Sequence, residues 1–141
     1  MDQQRVRRGF FWLTAVALML ASCASTTLLG RAKQGAATSF RAYESVTPQV
    51  VSEIAAIVAK NRAGTITEGE RDRLRSLNEL RKVLDDYAAS HNLFVEAVKT
   101  WEQTGQEPDN AMLLENQVLR LINRALDLAK ELNLSIPAGL R

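Results

Sequence analysis

The chain has 141 residues, of which 46% are hydrophobic, 6% aromatic and 24% charged. This composition suits one small helical domain and excludes a multi-domain enzyme. Residues 1–22 contain three of the 18 basic residues and one of the 16 acidic residues, so the remaining chain has 15 of each. The formal net charge of +2 therefore belongs to the N-terminal segment, and the rest of the chain has no overall attraction for nucleic acid.

The N-terminal segment has the pattern of a secretory signal. A nearly apolar run from Phe10 to Ala21 follows three arginines, which is typical of a signal peptide. The run ends in Leu20-Ala21-Ser22-Cys23, and the combination resembles the lipobox of bacterial lipoproteins. The resemblance implies that a diacylglycerol, with acyl chains such as palmitate, is attached to the Cys23 sulfur, and that the signal is then cleaved between Ser22 and Cys23.

The same resemblance predicts a location. Cys23 is the only cysteine, so it has no partner for an intramolecular disulfide, and two or three acyl chains on it would hold the protein stably at a membrane. In lipoproteins of Gram-negative bacteria an aspartate after this cysteine commonly retains the protein in the inner membrane, whereas this chain has Ala24. The resemblance therefore implies a lipid-anchored protein of the cell envelope, in the outer membrane and facing the periplasm. An uncleaved membrane anchor from Phe10 to Gly30 is the alternative, which Ser25 and Thr26 disfavour.

The predicted signal comprises residues 1–22, and the chain beyond it divides into three parts. Residues 23–37 are small, weakly patterned and include two glycines, which predicts a lipidated tether. Within it, Leu28 and Leu29 either touch the membrane or dock on the domain. Residues 38–134 are predicted to form a helical bundle domain, and residues 135–141 an irregular C-terminal tail that contains Pro137 and Gly139.

The first predicted helix of the bundle extends from about Thr38 to Arg62. Pro48 interrupts it, so the segment is either one kinked helix or two helices. Gly64 is suited to the left-handed residue that closes a helix. The apolar residues recur at three- and four-residue steps, and they are Phe40, Tyr43, Val46, Val50, Ile54, Ile57 and Val58.

The second predicted helix begins at Thr67, which has capping-box spacing to Glu70, and it ends before Gly105. If it reaches Thr104, it is about 55 Å long. Its apolar residues repeat with alternating steps of three and four over three heptads. This seam consists of Leu77, Leu80, Leu84, Tyr87, His91, Phe94, Val98 and Trp101.

The third predicted helix, from about Asp109 to Leu132, carries a wide apolar stripe, which suits a helix that contacts two neighbours. Its seam consists of Leu114, Val118, Leu121, Ala125, Leu128 and Leu132, with Ile122, Leu126 and Ala129 widening it. Short connections around Gly64 and Gly105 make successive helices antiparallel. The sequence therefore predicts an all-α, up-down-up bundle of three long helices.

Candidate chemistry is sparse in this sequence. The only histidine, His91, lies on the apolar seam, and no second histidine or Glu-x-x-His pair accompanies it, so we expect a core histidine and no metal site. The segment Glu68–Arg75 alternates acids and bases without aromatic residues, which indicates a solvated face supported by pairs such as Arg75–Glu79 rather than a nucleic-acid site. No catalytic or cofactor-binding residue is predicted, and the chain is not expected to be an enzyme.

Two aromatic residues are candidates for an interaction surface. Trp101 and Tyr43 have the large amphipathic rings that are enriched at binding hot spots, although the position of Trp101 in the heptad register also fits the core. We expect a structural or protein-interaction module of the envelope, with an envelope protein as partner and a homo-oligomer left open. The alternative is a small-ligand-binding or enzyme-accessory lipoprotein.

Overall fold

The computed structural model describes the backbone of residues 3–138 and the side chains of residues 28–138. Three helices form this part of the chain, α1 (Gln3–Arg62), α2 (Glu68–Thr104) and α3 (Ala111–Glu131), and it contains no strand. The prediction of an all-α fold with three long helices is confirmed. The predicted cleavage site and Cys23 lie outside the residues whose side chains are described.

Polar contacts at both ends of the bundle show the direction of each helix. Lys33 Nζ lies 2.5 Å from Glu102 Oε1, and Lys60 pairs with Glu70 at the other end, so α1 and α2 are antiparallel. Helices α2 and α3 are also antiparallel. Their cross-helix contacts join Gln117 to Ser90 at 2.9 Å and Arg124 to Glu79 at 3.0 Å. The predicted up-down-up order is therefore confirmed.

The helix ends follow local sequence signals. The Thr67 hydroxyl accepts a hydrogen bond from the Glu70 N–H, and a Glu70 carboxylate oxygen accepts one from the Thr67 N–H, which is the predicted capping box. Gly105 closes α2 at φ 70° and Gly64 follows α1 at φ 72°. Both positions favour glycine because a Cβ is strained at these angles.

The core is centred on α2. All eight residues of its predicted seam are buried, and Tyr87, Phe94 and Leu77 are among the largest fully buried side chains. On α3 the buried face is shifted from the predicted seam. Its buried residues are Ala111, Val118, Ile122, Ala125, Leu126 and Ala129, whereas three predicted seam leucines are half-buried.

Helix α1 packs on the bundle from further upstream than the sequence predicts. Residues 28–37, predicted to be tether, are helical, and the small side chains of Ala32 and Ala36 are buried in the core. Leu29 packs against the core while Leu28 is exposed. Small residues gave a weak periodic signal in the sequence, yet they allow helices to approach closely in the bundle.

Pro48 does not divide α1 into two helices, because α1 is continuous from Gln3 to Arg62. Proline lacks the N–H that would donate to the carbonyl of Glu44. Both Pro48 and Glu44 are exposed, so water can solvate this side of the helix. Of the two alternatives that the sequence left open, the structure shows a single helix.

The chain after α3 is irregular as far as Ala138, yet it is attached to the bundle. The Gln49 side chain donates to the Ser135 carbonyl at 2.8 Å and accepts from the Ser135 N–H at 2.9 Å. Arg73 donates to the Leu132 carbonyl at 2.9 Å, and Ile136 is buried. These contacts make the C-terminal segment part of the folded domain.

The ion pairs of α2 differ from the predicted Arg75–Glu79 pair. Arg75 binds Asp72 at 2.8 Å, one turn earlier, and Glu79 binds Arg124 of α3. The prediction was wrong because the helix sequence alone does not reveal a competing partner on a neighbouring helix.

Candidate functional site

A buried polar cluster joins α1 to the middle of α2. The Tyr87 hydroxyl donates to Ser39 Oγ at 2.9 Å, and Ser39 Oγ donates to the Ala36 carbonyl at 3.0 Å. Nε2 of His91 lies 3.2 Å from the same carbonyl. Because a carbonyl oxygen can only accept, this His91 nitrogen carries the hydrogen. His91 is thus a buried core histidine, as its seam position predicts.

Two aromatic rings of α1, those of Phe40 and Tyr43, pack against this cluster. His91 stacks on Phe40 with ring centroids 5.2 Å apart, and Tyr43 stacks on Tyr87 at 5.3 Å. Phe40 and Tyr43, at 5.8 Å, link the two pairs. Such separations are favourable for aromatic pairs. Tyr43, a predicted interaction residue, is therefore the half-buried edge of a packed stack.

The environment of Tyr87 suits a structural role. Burial raises the pKa of Tyr87 to about 12, while the hydrogen bond with Ser39 acts in the opposite direction. The phenol therefore stays neutral at physiological pH. Across residues 28–138, no three His, Cys, Asp or Glu side chains are placed to hold a metal ion.

Trp101, the other predicted interaction residue, belongs to the core. Its side chain is only 6% exposed, and its carbonyl accepts the Gly105 N–H that closes α2. Of the two roles that the sequence left open for Trp101, interaction surface or core, its burial fits the core, because the heptad seam continues to the last turn of α2 and is covered there. The sequence contained this signal, since Trp101 follows Phe94 and Val98 in register.

An open groove between α1 and α3 is the better candidate surface. Its volume is about 380 Å³, and its apolar floor includes Ala42, Ile122 and Leu126. It exists because α1 presents small residues here, among them Gly35 and Ser39. These positions recur at helical spacing, but the sequence analysis missed the groove because it assigned Gly35 to a tether.

Polar side chains line the rim of this groove. Arg31, Gln34, Thr38 and Asn123 all belong to its lining. Within residues 28–138 none of their side chains makes a hydrogen bond or ion pair with another residue. Leu119 stands beside them and is 40% exposed. Ligand-binding clefts commonly combine an apolar floor with a few polar groups in this way.

A second groove, between α1 and α2, is smaller at about 300 Å³. Phe40, His91 and Val98 line it, and the Lys33–Glu102 ion pair lies at its edge. Because His91 and this ion pair are already engaged, it offers fewer free polar groups than the α1–α3 groove.

Within the part of the chain whose side chains are described, no helix has the length and apolarity needed to span a membrane.

No family model, curated protein or solved structure matches this chain.

Proposed function

We propose that this chain is a bacterial envelope lipoprotein, anchored through acyl chains on Cys23 in the outer membrane, whose bundle acts in the periplasm as a structural or protein-interaction module. The lipobox-like residues Leu20 to Cys23 behind a basic, apolar segment support the anchor. The packed apolar core of residues 28–138, which includes Ala32 and Ala36 of α1, supports a module that works by contact.

The α1–α3 groove is the observation that carries the interaction role. From Arg31 to Ala42 the α1 side of the groove is about 16 Å long, or three helical turns. An elongated apolar floor with a polar rim suits an amphipathic helix of a partner protein, whose apolar face would cover Leu119 and Ile122.

Affinity capture from the native envelope with matched variants tests this role. Leu119→Glu places a charge in the groove, whereas Val51→Glu places one at an exposed apolar position outside it. We expect one protein to be captured by the wild type and by Val51→Glu and to be lost with Leu119→Glu. Equal capture by both variants would contradict the groove as the contact surface.

The anchor has its own test. Cys23→Ser should abolish labelling by a radioactive fatty acid and leave an uncleaved precursor. Equal label in the variant and the wild type would remove the basis for the proposed location.

A small-ligand-binding role is the second candidate, because a groove of about 380 Å³ lies within the size range of ligand pockets. An envelope extract freed of protein that raises the melting temperature of the wild type, but not of Leu119→Glu, would favour this role.

A further inference from the structure

Three of the seven large hydrophobic side chains that are exposed in the described part of the chain lie at one end of the bundle, which we call the tip. The tip consists of Leu28, the α2–α3 connection 105–110 and the first turn of α3. Leu28 is 50% exposed, Met112 66% and Leu113 69%. These are large fractions for hydrophobic residues, and such residues grouped together indicate a contact surface.

Contacts between the helices place these three residues at the same end. Lys33 of α1 pairs with Glu102 near the end of α2, and a Cβ at Gly35 would lie 3.8 Å from Glu115 Oε1 on α3. From these levels Leu28 lies about 8 to 10 Å further out along α1, and Met112 lies about 5 Å further out along α3.

The proposed lipid anchor is close to this tip. Cys23 precedes Leu28 by five residues, a distance of at most about 18 Å even for extended chain. Because residues 28–37 are helical and docked, this short link is all that separates the domain from the membrane surface. A tether of the predicted length, residues 23–37, would have allowed the domain to stand well away from it.

We propose that the tip rests directly on the lipid bilayer, with Leu28, Met112 and Leu113 in the headgroup region. This inference depends on the proposed acylation of Cys23. In interfacial contacts an apolar surface is usually buried to a depth of about 5 to 10 Å. Arg31 is exposed one turn from Leu28 and Lys33 is paired with Glu102, so the tip keeps an acidic excess from Glu107 and Asp109 of the connection. Their negative charges favour a zwitterionic surface over an anionic one.

Site-specific fluorescence quenching in vesicles tests this contact. The full-length protein, purified with its acyl chains and verified by mass spectrometry, is placed in phosphatidylcholine vesicles that contain nitroxide-labelled lipid. Because lipid occupies the Cys23 sulfur in the purified protein, the cysteine of Met112→Cys is the single free thiol that can take a bimane label. Val51→Cys is the matched control, since Val51 is 52% exposed and lies about 35 Å from Leu28 along α1.

We expect the lipid quencher to reduce bimane fluorescence at least twofold at position 112 and to leave position 51 unchanged. Replacing a third of the lipid by phosphatidylglycerol should weaken the quenching at position 112. Quenching that needs the anionic lipid would contradict the proposed zwitterionic contact.

Other outcomes overturn the inference in distinguishable ways. No quenching at position 112 in acylated protein refutes the contact while the anchor stands, and a blue-shifted emission in that case assigns the tip to a protein, such as a second copy. Equal quenching at positions 51 and 112 shows that the bundle lies flat. If mass spectrometry finds no acyl chain, the proposed function fails, and the inference that depends on it fails too.

Discussion

Tyr87 shows how a polar side chain is accommodated in an apolar seam. Its hydroxyl donates to Ser39 in the core, and the Ser39 hydroxyl in turn donates to the Ala36 carbonyl. Burial raises the pKa of Tyr87 to about 12, because a phenolate in the core would lose its hydration. Folding therefore favours the neutral form of the Tyr87 side chain.

The Tyr87 linkage predicts a loss of stability at high pH. A pKa of about 12 in the folded state, against 10.0 ordinarily, means that this contribution is complete below about pH 10 and is lost as the pH rises to about 12. Relative to Tyr87→Phe, the wild type should lose stability over this window in chemical denaturation. The other titratable groups are common to both proteins, so the difference between their stability curves isolates the contribution of Tyr87. Parallel curves for the wild type and Tyr87→Phe would contradict the linkage.

At the scale of elements, the N-terminal part of α1 tests where the domain begins. Ala32 is buried and Ala37, five residues later, is exposed. Ala32→Asp should lower the free energy of unfolding by more than about 2 kcal/mol, because it buries a charge. Ala37→Asp should cost within about 1 kcal/mol, mainly through helix propensity. Circular dichroism of the full chain in detergent measures both. Equal effects would mean that residues 28–37 do not pack on the domain.

The capping box at the start of α2 gives a second test of an element. Thr67→Ala should lower the free energy of unfolding by about 1 kcal/mol, because the Glu70 N–H loses its acceptor. Thr100→Ala, at an exposed position within α2, should leave stability unchanged or raise it by a few tenths of a kcal/mol. If both substitutions have the same effect, the cap contributes nothing.

Glu70 makes this cap dependent on acid. Its hydrogen bond with Lys60, followed by that from the Thr67 N–H, lowers the pKa of Glu70 from 4.5 to about 2. Its contribution is therefore present above about pH 4.5 and is lost as the pH falls toward 2. The difference in stability between the wild type and Glu70→Gln should shrink over this range.

At the scale of the whole molecule, the inward-facing titratable side chains of the cluster have local partners, since Tyr87 bonds to Ser39 and His91 to the Ala36 carbonyl. If the module works by contact, the double variant Tyr87→Phe/His91→Leu should retain its fold, membrane location and partner capture. Circular dichroism, fractionation and affinity capture check these three properties. Loss of the cellular phenotype with all three intact would contradict a role by contact alone.

The sequence by itself determined the number of helices, their ends at the two connections and their direction. Thr67, Gly64 and Gly105 act through hydrogen bonds and backbone angles within a few residues, so their effects were readable without a fold. The α2 seam was likewise predicted correctly, because a heptad repeat places its large apolar residues on one face of the helix, and that face packs against other helices.

Only the tertiary structure decided which surfaces meet. Ala32 and Ala36 belong to the core because neighbouring helices approach them, and Glu79 pairs with a residue of α3. The α1–α3 groove arose in the same way, since its floor and rim come from two helices that are distant in sequence. Small residues have little hydrophobic signal of their own, and their role depends on what packs against them.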